Sequence, residues 1–155
     1  MITAIIAEKP SVAKDIANVL GVRERHDGYL SGNDYLVTWA FGHLVQLAMP
    51  DAYGYTGFRR ENLPIIPQEF KFIPRQIQEG KEYKSDPGVL KQLKVIREVF
   101  AQSDRIIVAT DAGREGEGIF RYIYNYLVAC NLRIFLCLFL EKLNMPQNTP
   151  VTKAS

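Results

Sequence analysis

Acidic residues follow two apolar segments of the sequence at similar positions. Glu8 comes directly after the run ITAIIA, Asp111 comes shortly after the run RIIVA, and Glu115 stands four residues further on. Grouped carboxylates repel one another unless a cation shares their site. Hard oxygen ligands of this kind suit Mg²⁺, which binds through one or two carboxylates, keeps several waters and contacts phosphate groups. The acids therefore predict a magnesium site that serves phosphoryl chemistry.

Glycines and cations accompany these acids. Gly113 and Gly116 allow the backbone to approach a neighbouring group closely, and the start of a helix favours an anion. Lys9 and Arg114 supply positive charge for a phosphate. For Glu115 alone a second interpretation stays open, because an acid in the first turn of a helix often serves only the helix dipole. The segment also lacks the Gly-Lys-Ser/Thr ending of a nucleotide-binding P-loop.

Two strands and the helices that follow them must hold these residues in place. Residues 2–7 and 104–111 contain apolar, β-branched runs that are typical of strands buried on both faces of a parallel sheet. Pro10 suits a first helical turn, and apolar residues at helical spacing predict a helix that ends at Gly21. Ligands bind outside the carboxyl ends of the strands in open α/β sheets. If the two strands are neighbours, the acids that follow them converge on one site.

The middle of the chain has a different pattern. Residues 28–44 contain a Ser-Gly-Asn-Asp turn between two β-rich arms, which predicts a hairpin. The stretch from Met49 to Pro87 contains five prolines and no sustained periodicity, which indicates loops and short pieces outside the sheet. An apolar stripe at residues 89–100 predicts an amphipathic helix, and another helix follows the acids. Together these elements predict an α/β fold with a mostly parallel central sheet, helices on both faces, and a hairpin and loop insertion at about 28–87.

Composition places the chain among soluble globular proteins. It has 155 residues, enough for one domain with a substantial core, and a net charge of +2 that does not by itself indicate a nucleic-acid binder. Two cysteines supply neither a disulfide framework nor four zinc ligands, so we expect a cytoplasmic protein. The first residues lack the basic region of a signal peptide. The apolar run at 132–140 is shorter than the roughly 20 residues that cross a bilayer, so we expect a buried strand or helix there and no membrane association.

Four separate segments, in the order in which they occur, resemble one protein family. They are EKPSVAKDIA, AFGHLVQL, LPIIPQEFKF and ATDAGREGEGIFRYIY. In these segments the chain resembles the Toprim domain of type IA DNA topoisomerases, in particular the bacterial topoisomerase III group. The resemblance extends over about residues 2–127. Toprim primases and nucleases share the acids but not their EKPS and GREGE contexts.

The resemblance implies a Rossmann-like Toprim domain at residues 1–127 that binds Mg²⁺ and single-stranded DNA. Lys9 would stabilise charge on the phosphate that is cleaved and rejoined. Without the resemblance, His43, which follows the strand-like YLVTWAF, would more often be a structural or exposed histidine. The resemblance implies catalytic roles for Glu8, Lys9, Asp111 and Glu115, metal binding by Glu8, Asp111 and Glu115, and contacts to DNA phosphates by Lys9, Ser11, His43 and Arg114.

The sequence departs from the family pattern at two places. Many relatives carry Asp-x-Asp-x-Glu, whereas Gly113 takes the middle position here, which favours a single metal ion held mostly by two carboxylates and waters. After Tyr126 the family continues into a Pro-Phe…Arg-Leu-Trp-Ile-Ser-Ser stretch and several further domains. Residues 128–155 diverge from that pattern, and we expect partial disorder at 144–155.

These observations leave three candidate functions. The first is the Toprim part of a topoisomerase III-like type IA enzyme whose other domains, including the one with the nucleophilic tyrosine, are missing from this chain, so that the chain alone is inactive. None of its eight tyrosines matches the context of that nucleophile. The second is a stand-alone Toprim nuclease, in which metal-activated water replaces the tyrosine. The third is a catalytically inactive DNA-binding or regulatory module.

Overall fold

The computed structural model describes residues 1–56, 59–80, 82–129 and 137–139. These residues form strands, three α-helices and two short 3₁₀ helices at Pro50–Tyr53 and Arg60–Asn62. In chain order the elements are β1 (Thr3–Ala7), α1 (Pro10–Val19), β2 (Glu24–His26), β3 (Tyr29–Gly32), β4 (Tyr35–Trp39), β5 (Val45–Leu47), β6 (Phe72–Pro74), β7 (Gln76–Glu79), β8 (Glu82–Ser85), α2 (Pro87–Ala101), β9 (Arg105–Ala109), α3 (Arg114–Ala129) and β10 (Cys137–Phe139).

The described residues form one six-stranded sheet in the order β10-β9-β1-β4-β3-β2. The first four of these strands are parallel, and β3 and β2 extend the sheet in antiparallel pairing. The register of β1 and β9 runs from Thr3 opposite Arg105 to Ala7 opposite Ala109. The prediction of an α/β fold with a mostly parallel sheet is confirmed. The two strands that precede the acids are neighbours that end at the same edge.

Successive side chains of β1 point to opposite faces of the sheet, so the strand contributes to a core cluster on each face. Ala4 and Ile6 pack into a cluster with the apolar faces of α2 and α3. Ile5 and Ala7 pack on the opposite side, against Ala13 of α1 and its neighbours. Because β1 buries side chains on both faces, its sequence is a continuous apolar run rather than an alternating one. The prediction of helices on both faces is therefore confirmed.

The predicted hairpin is present and belongs to the main sheet. β3 and β4 pair through a tight turn at Asn33 and Asp34, whose φ angles of 51° and 63° suit the hairpin turns with left-handed central residues. β4 also pairs in parallel with β1, and its Val37 and Thr38 are fully buried. The segment 28–87 is thus not inserted as one unit, because the hairpin at its start fills a central place in the sheet.

The rest of that segment forms two small ribbons outside the main sheet. β5 pairs with β6, β7 pairs with β8, and the ring of Phe72 packs edge-on against Tyr122 of α3 at 5.2 Å between centroids. Arg75 connects the two ribbons to the remainder of the fold. Its amide donates to the carbonyl of Leu44 at 2.8 Å, and its guanidinium pairs with Asp86, before α2, at 2.9 Å.

The C-terminal predictions fall largely on residues that the structure does not describe. Of the apolar run at 132–140, Cys137–Phe139 forms β10 in parallel pairing with β9. The rest of the divergent segment from residue 130 onward, including the expected disorder at 144–155, lies outside the described residues. Among the helices of the described ranges, none is both long and apolar enough to cross a membrane.

Asp86 gives a test of how the ribbons and α2 are joined. Its carboxylate accepts hydrogen bonds from the amides of Gly88 and Val89, and the hydrogen bond from Arg75 holds its pKa below the ordinary value of 3.8. A lowered folded-state pKa stabilises the fold above the unfolded pKa, and that stability is lost as the pH falls through the folded value. We expect Asp86→Ala to lower the melting temperature by a few degrees at pH 7.

Asp86→Asn separates the two roles of this side chain. The amide oxygen still caps α2 but carries no charge for Arg75, so the variant should lie between the wild type and Asp86→Ala at pH 7. Thermal unfolding followed by circular dichroism should show that the difference in melting temperature between wild type and Asp86→Asn disappears below about pH 4. A difference in melting temperature that stays constant from pH 7 to pH 3 would contradict the role of the ion pair.

Candidate functional site

Glu8 and Asp111 meet at the carboxyl ends of β1 and β9. Glu8 directly follows β1, and Asp111 stands two residues after the end of β9. The backbone N–H of Asp111 donates to a carboxylate oxygen of Glu8 at 3.3 Å. The paired register of the two strands makes this contact possible, because residues that leave matched strand ends remain side by side. The structure thus brings together the two acids that the sequence singled out.

The Glu8 carboxylate is largely enclosed, with 12% of its side chain exposed. A buried charge requires partners, because desolvation disfavours an unpaired carboxylate. Within the described ranges its polar contacts are the Asp111 amide and the ammonium group of Lys9, whose Nζ lies 3.8 Å from the carboxylate. Lys9 itself is 60% exposed and occupies the N-cap position of α1. One enclosed acid therefore lies beside one exposed cation.

Gly116 determines how closely the Asp111 loop lies against α3. A Cβ atom at Gly116 would overlap the carbonyl oxygen of Asp111 and lie 2.8 Å from its amide nitrogen, the same nitrogen that donates to Glu8. Gly113 behaves differently, since a Cβ atom there would meet no described atom within 4 Å. Gly116 is thus in close contact with the backbone of the Asp111 loop, whereas the space beside Gly113 is open. The space left by Gly116 is filled by the protein's own loop.

The start of α3 presents charged side chains to solvent beside this loop. The amide of Glu117 donates to the carbonyl of Gly113 at 3.0 Å, which begins the helix. Arg114 and Glu115 lie in the first turn and are exposed. Glu117 forms an ion pair with Arg121, four residues later, at 3.3 Å. Glu117 is therefore engaged on the helix surface, whereas Glu115 is exposed to solvent.

His43 and Ser11 occupy exposed positions at the same edge of the sheet. Ser11 lies in the first turn of α1, directly after the β1–α1 junction. His43 lies in the loop after β4, and the amide of Ala40 at the start of that loop donates to Ala7 at 2.8 Å. β4 runs parallel to β1, so its loop emerges where Glu8 does. The structure places both residues at this edge of the sheet, and within the described ranges neither forms a hydrogen bond or an ion pair with the acids.

One enclosed and one exposed acid with open surroundings suit Mg²⁺ better than a metal that needs a complete protein cage. Mg²⁺ commonly takes one or two carboxylates and completes its shell with water and phosphate oxygens. In the part of the chain that the structure describes, no three His, Cys, Asp or Glu side chains already surround one metal position. The donor set of Glu8 and Asp111 is therefore compatible with weak Mg²⁺ binding.

Arg75 is a positioning residue that the sequence analysis did not identify. Its guanidinium donates to the carbonyl of His43 at 3.3 Å and pairs with Asp86, so it connects the His43 loop to the start of α2. The same guanidinium lies 5.6 Å from the ring centroid of Phe41. Its neighbours in sequence give no signal of this role, because its contacts to Phe41 and His43 join residues more than 30 positions apart.

Comparison with known proteins gives a consistent result. The Toprim domain family matches residues 3–139, so the match continues past residue 127 and includes β10. DNA topoisomerase 3 of Bacillus subtilis is 43% identical over 123 residues, and the corresponding proteins of Bacillus licheniformis and Bacillus thuringiensis are 44% and 45% identical over the same length. The matched region is 78% of this chain and 16% of each relative. The chain thus spans a small part of the length of these curated relatives.

Gly116→Ala tests whether the approach of the Asp111 loop to α3 is required. The added methyl group would force the loop away from the helix, and overpacking of this kind costs about 1–3 kcal/mol. Gly118→Ala is the matched control, because a Cβ atom there meets open space and alanine favours a helix interior over glycine by about 1 kcal/mol. Chemical denaturation should show Gly116→Ala less stable and Gly118→Ala more stable than wild type. Equal effects from both variants would contradict the assigned packing.

Proposed function

Because the chain belongs to the Toprim domain family, we propose that it supplies the acidic, metal-binding site of a topoisomerase III-like type IA DNA topoisomerase. The relatives named DNA topoisomerase 3 support this assignment. The observation that carries it is the contact between the Glu8 carboxylate and the Asp111 amide at the ends of two neighbouring parallel strands. Ligands of open α/β sheets bind at this edge. The DNA substrate implies action in the cytoplasm.

Glu8 and Asp111 would hold one Mg²⁺ ion, with Glu115 able to contribute from the first turn of α3. When bound, Mg²⁺ neutralises charge on a phosphate group and so lowers the barrier to its transfer. Gly113 removes the middle acid of the family pattern, and this favours a single ion whose remaining ligands are waters. Glu117 is not assigned to the metal, because it pairs with Arg121.

Exposed cations beside the acids would bind the DNA phosphate. The Lys9 ammonium lies close enough to Glu8 to be oriented by it and exposed enough to reach a ligand. Its charge would stabilise the negative charge that develops on the phosphate oxygens. Arg114 at the start of α3 and Ser11 at the start of α1 would add donors near helix N-termini, where anions are favoured. His43 would contact the DNA backbone from the loop after β4.

The reaction that these residues would serve is a pair of transesterifications. A tyrosine hydroxyl attacks the DNA phosphorus, a new bond to the tyrosine oxygen forms, and the bond from phosphorus to a deoxyribose oxygen breaks. A second strand passes through the gap, and the deoxyribose hydroxyl then reverses the exchange. We assign the attacking tyrosine to a part of the enzyme other than residues 1–155. On this account the chain alone binds Mg²⁺ and DNA weakly and does not cleave DNA.

Magnesium binding tests the acid pair directly. Glu8→Gln keeps an oxygen that can accept from the Asp111 amide while it removes the charge, and Asp111→Asn likewise preserves shape. Isothermal titration calorimetry should show Mg²⁺ affinity lower by about tenfold or more in each variant, because charge on the ligands sets cation affinity. Glu117→Gln is the control and should bind as wild type does. Unchanged affinity in both Glu8→Gln and Asp111→Asn would refute the proposed site.

A nicking assay separates this proposal from a stand-alone nuclease. We expect no Mg²⁺-dependent cleavage of supercoiled DNA by the chain alone. Cleavage that disappears in both Glu8→Gln and Asp111→Asn would instead assign hydrolysis by metal-activated water to this site.

A further inference from the structure

A concave pocket on the α1 side of the sheet is lined by cations. Lys14 and Asn18 of α1 form one wall, and Arg23 and Arg25 at β2 form the other. Its volume is about 330 Å³, near the lower end of the range of about 300–1,000 Å³ for small-molecule sites. The buried side chains of Ala17, Val22 and Leu30 complete its lining. This pocket lies outside the acid site and has no role in the chemistry described above.

Local geometry accounts for the clustering of these side chains. Lys14 and Asn18 are four residues apart on α1, so they lie on the same side of the helix. Arg25 pairs with Leu30, which packs in the core beneath α1. Because side chains alternate along a strand, Arg23 and Arg25 share the face of the sheet that carries α1. Helix and strand therefore direct their cations toward one concave space.

The acids of the same segment lie elsewhere and are already engaged. Glu24 accepts from the hydroxyl of Ser31 at 2.9 Å, and that hydroxyl also contacts His26 at 2.8 Å. Alternation places this group on the face of the strand opposite to Arg25. Asp27 forms an ion pair with Lys91 of α2, on the other side of the sheet. Negative charge is thus absent from the described lining of the pocket.

The three cations of the pocket have no ionic partners among the residues that the structure describes. Within the described part of the chain, Lys14, Arg23 and Arg25 form no ion pair, whereas Lys9, Lys84 and Lys91 each lie beside an acid. Like charges held around one concavity repel one another and raise the local concentration of anions. Arginine in particular presents paired donors that match the oxygens of a phosphate.

We propose that this pocket is a second phosphate site, which binds the backbone of single-stranded DNA at a distance from the acids. The proposal rests on the proposed function for its choice of DNA as the ligand. α1 begins beside Glu8 and Lys9 and passes the pocket along its length, and its ten residues span about 15 Å. A single strand of several nucleotides can therefore contact the acid site and the pocket together. The pocket contacts phosphate and reads no base sequence.

The double variant Arg23→Gln/Arg25→Gln tests the site, and Arg59→Gln/Arg60→Gln is the matched control. The control removes the same charge from exposed positions outside the pocket. Binding of a labelled oligothymidine should be followed by fluorescence anisotropy at several salt concentrations. Each phosphate contact to a single strand contributes about 0.7 to the slope of log affinity against log salt, or about a factor of five at 0.1 M salt.

We expect the pocket variant to weaken binding about 25-fold and to make the salt slope shallower by about 1.4. The control should change both quantities much less. Equal loss in the two double variants, or an unchanged slope in the pocket variant, would overturn the proposal. Protection of the wild type by inorganic phosphate in thermal unfolding, without any effect of the pocket variant on oligothymidine binding, would assign the pocket to a free phosphate and also overturn it.

Magnesium calorimetry on the same proteins distinguishes this proposal from the proposed function. The pocket variant should retain the Mg²⁺ affinity of the wild type, which also shows that it remains folded. A wild type that binds no Mg²⁺ would end the proposed function, while the salt slope would still decide whether the pocket binds a DNA strand.

Discussion

The register between β1 and β9 is the constraint on which the rest of the site depends. It aligns Ala7 with Ala109, so both strands end together and the two acids leave the sheet side by side. A slip of one residue would turn every side chain of the moved strand to the opposite face and expose its apolar residues. The core clusters on both faces therefore fix the positions of Glu8 and Asp111 as well as the stability of the fold. Packing and chemistry are coupled through the same pairing.

Much of this arrangement is readable in the sequence, because its signals are local. The continuous apolar runs of β1 and β9 indicate strands buried on both faces, and the acids after them predict a shared site. The close contact of Gly116 could not be predicted from the sequence, because it is made with the backbone of the Asp111 loop, which folds back against α3. The place of β4 beside β1 and the contact of Arg75 with the His43 loop depend on pairing between distant segments, which no single stretch of sequence encodes.

Charge is distributed along α1 in a way that suits one extended anion. The helix begins beside an enclosed acid and an exposed lysine, and further along it faces a pocket of cations that form no ion pair within the described ranges. The small net charge of +2 does not reveal this local cluster of cations. The acids of β2 and its turn lie on the face of the sheet opposite the pocket. Overall charge is thus a poor guide to phosphate binding here, and the local arrangement of Lys14, Arg23 and Arg25 is the relevant quantity.

Paramagnetic NMR would show whether one divalent ion binds between the ends of β1 and β9, as we propose. Mn²⁺, which prefers similar oxygen ligands, broadens the amide signals of nearby residues when it replaces Mg²⁺. We expect selective broadening at Glu8, Lys9 and Asp111 and at the first turn of α3, reversed by excess Mg²⁺. Broadening centred on other acids, or uniform broadening that Mg²⁺ does not reverse, would contradict the proposal.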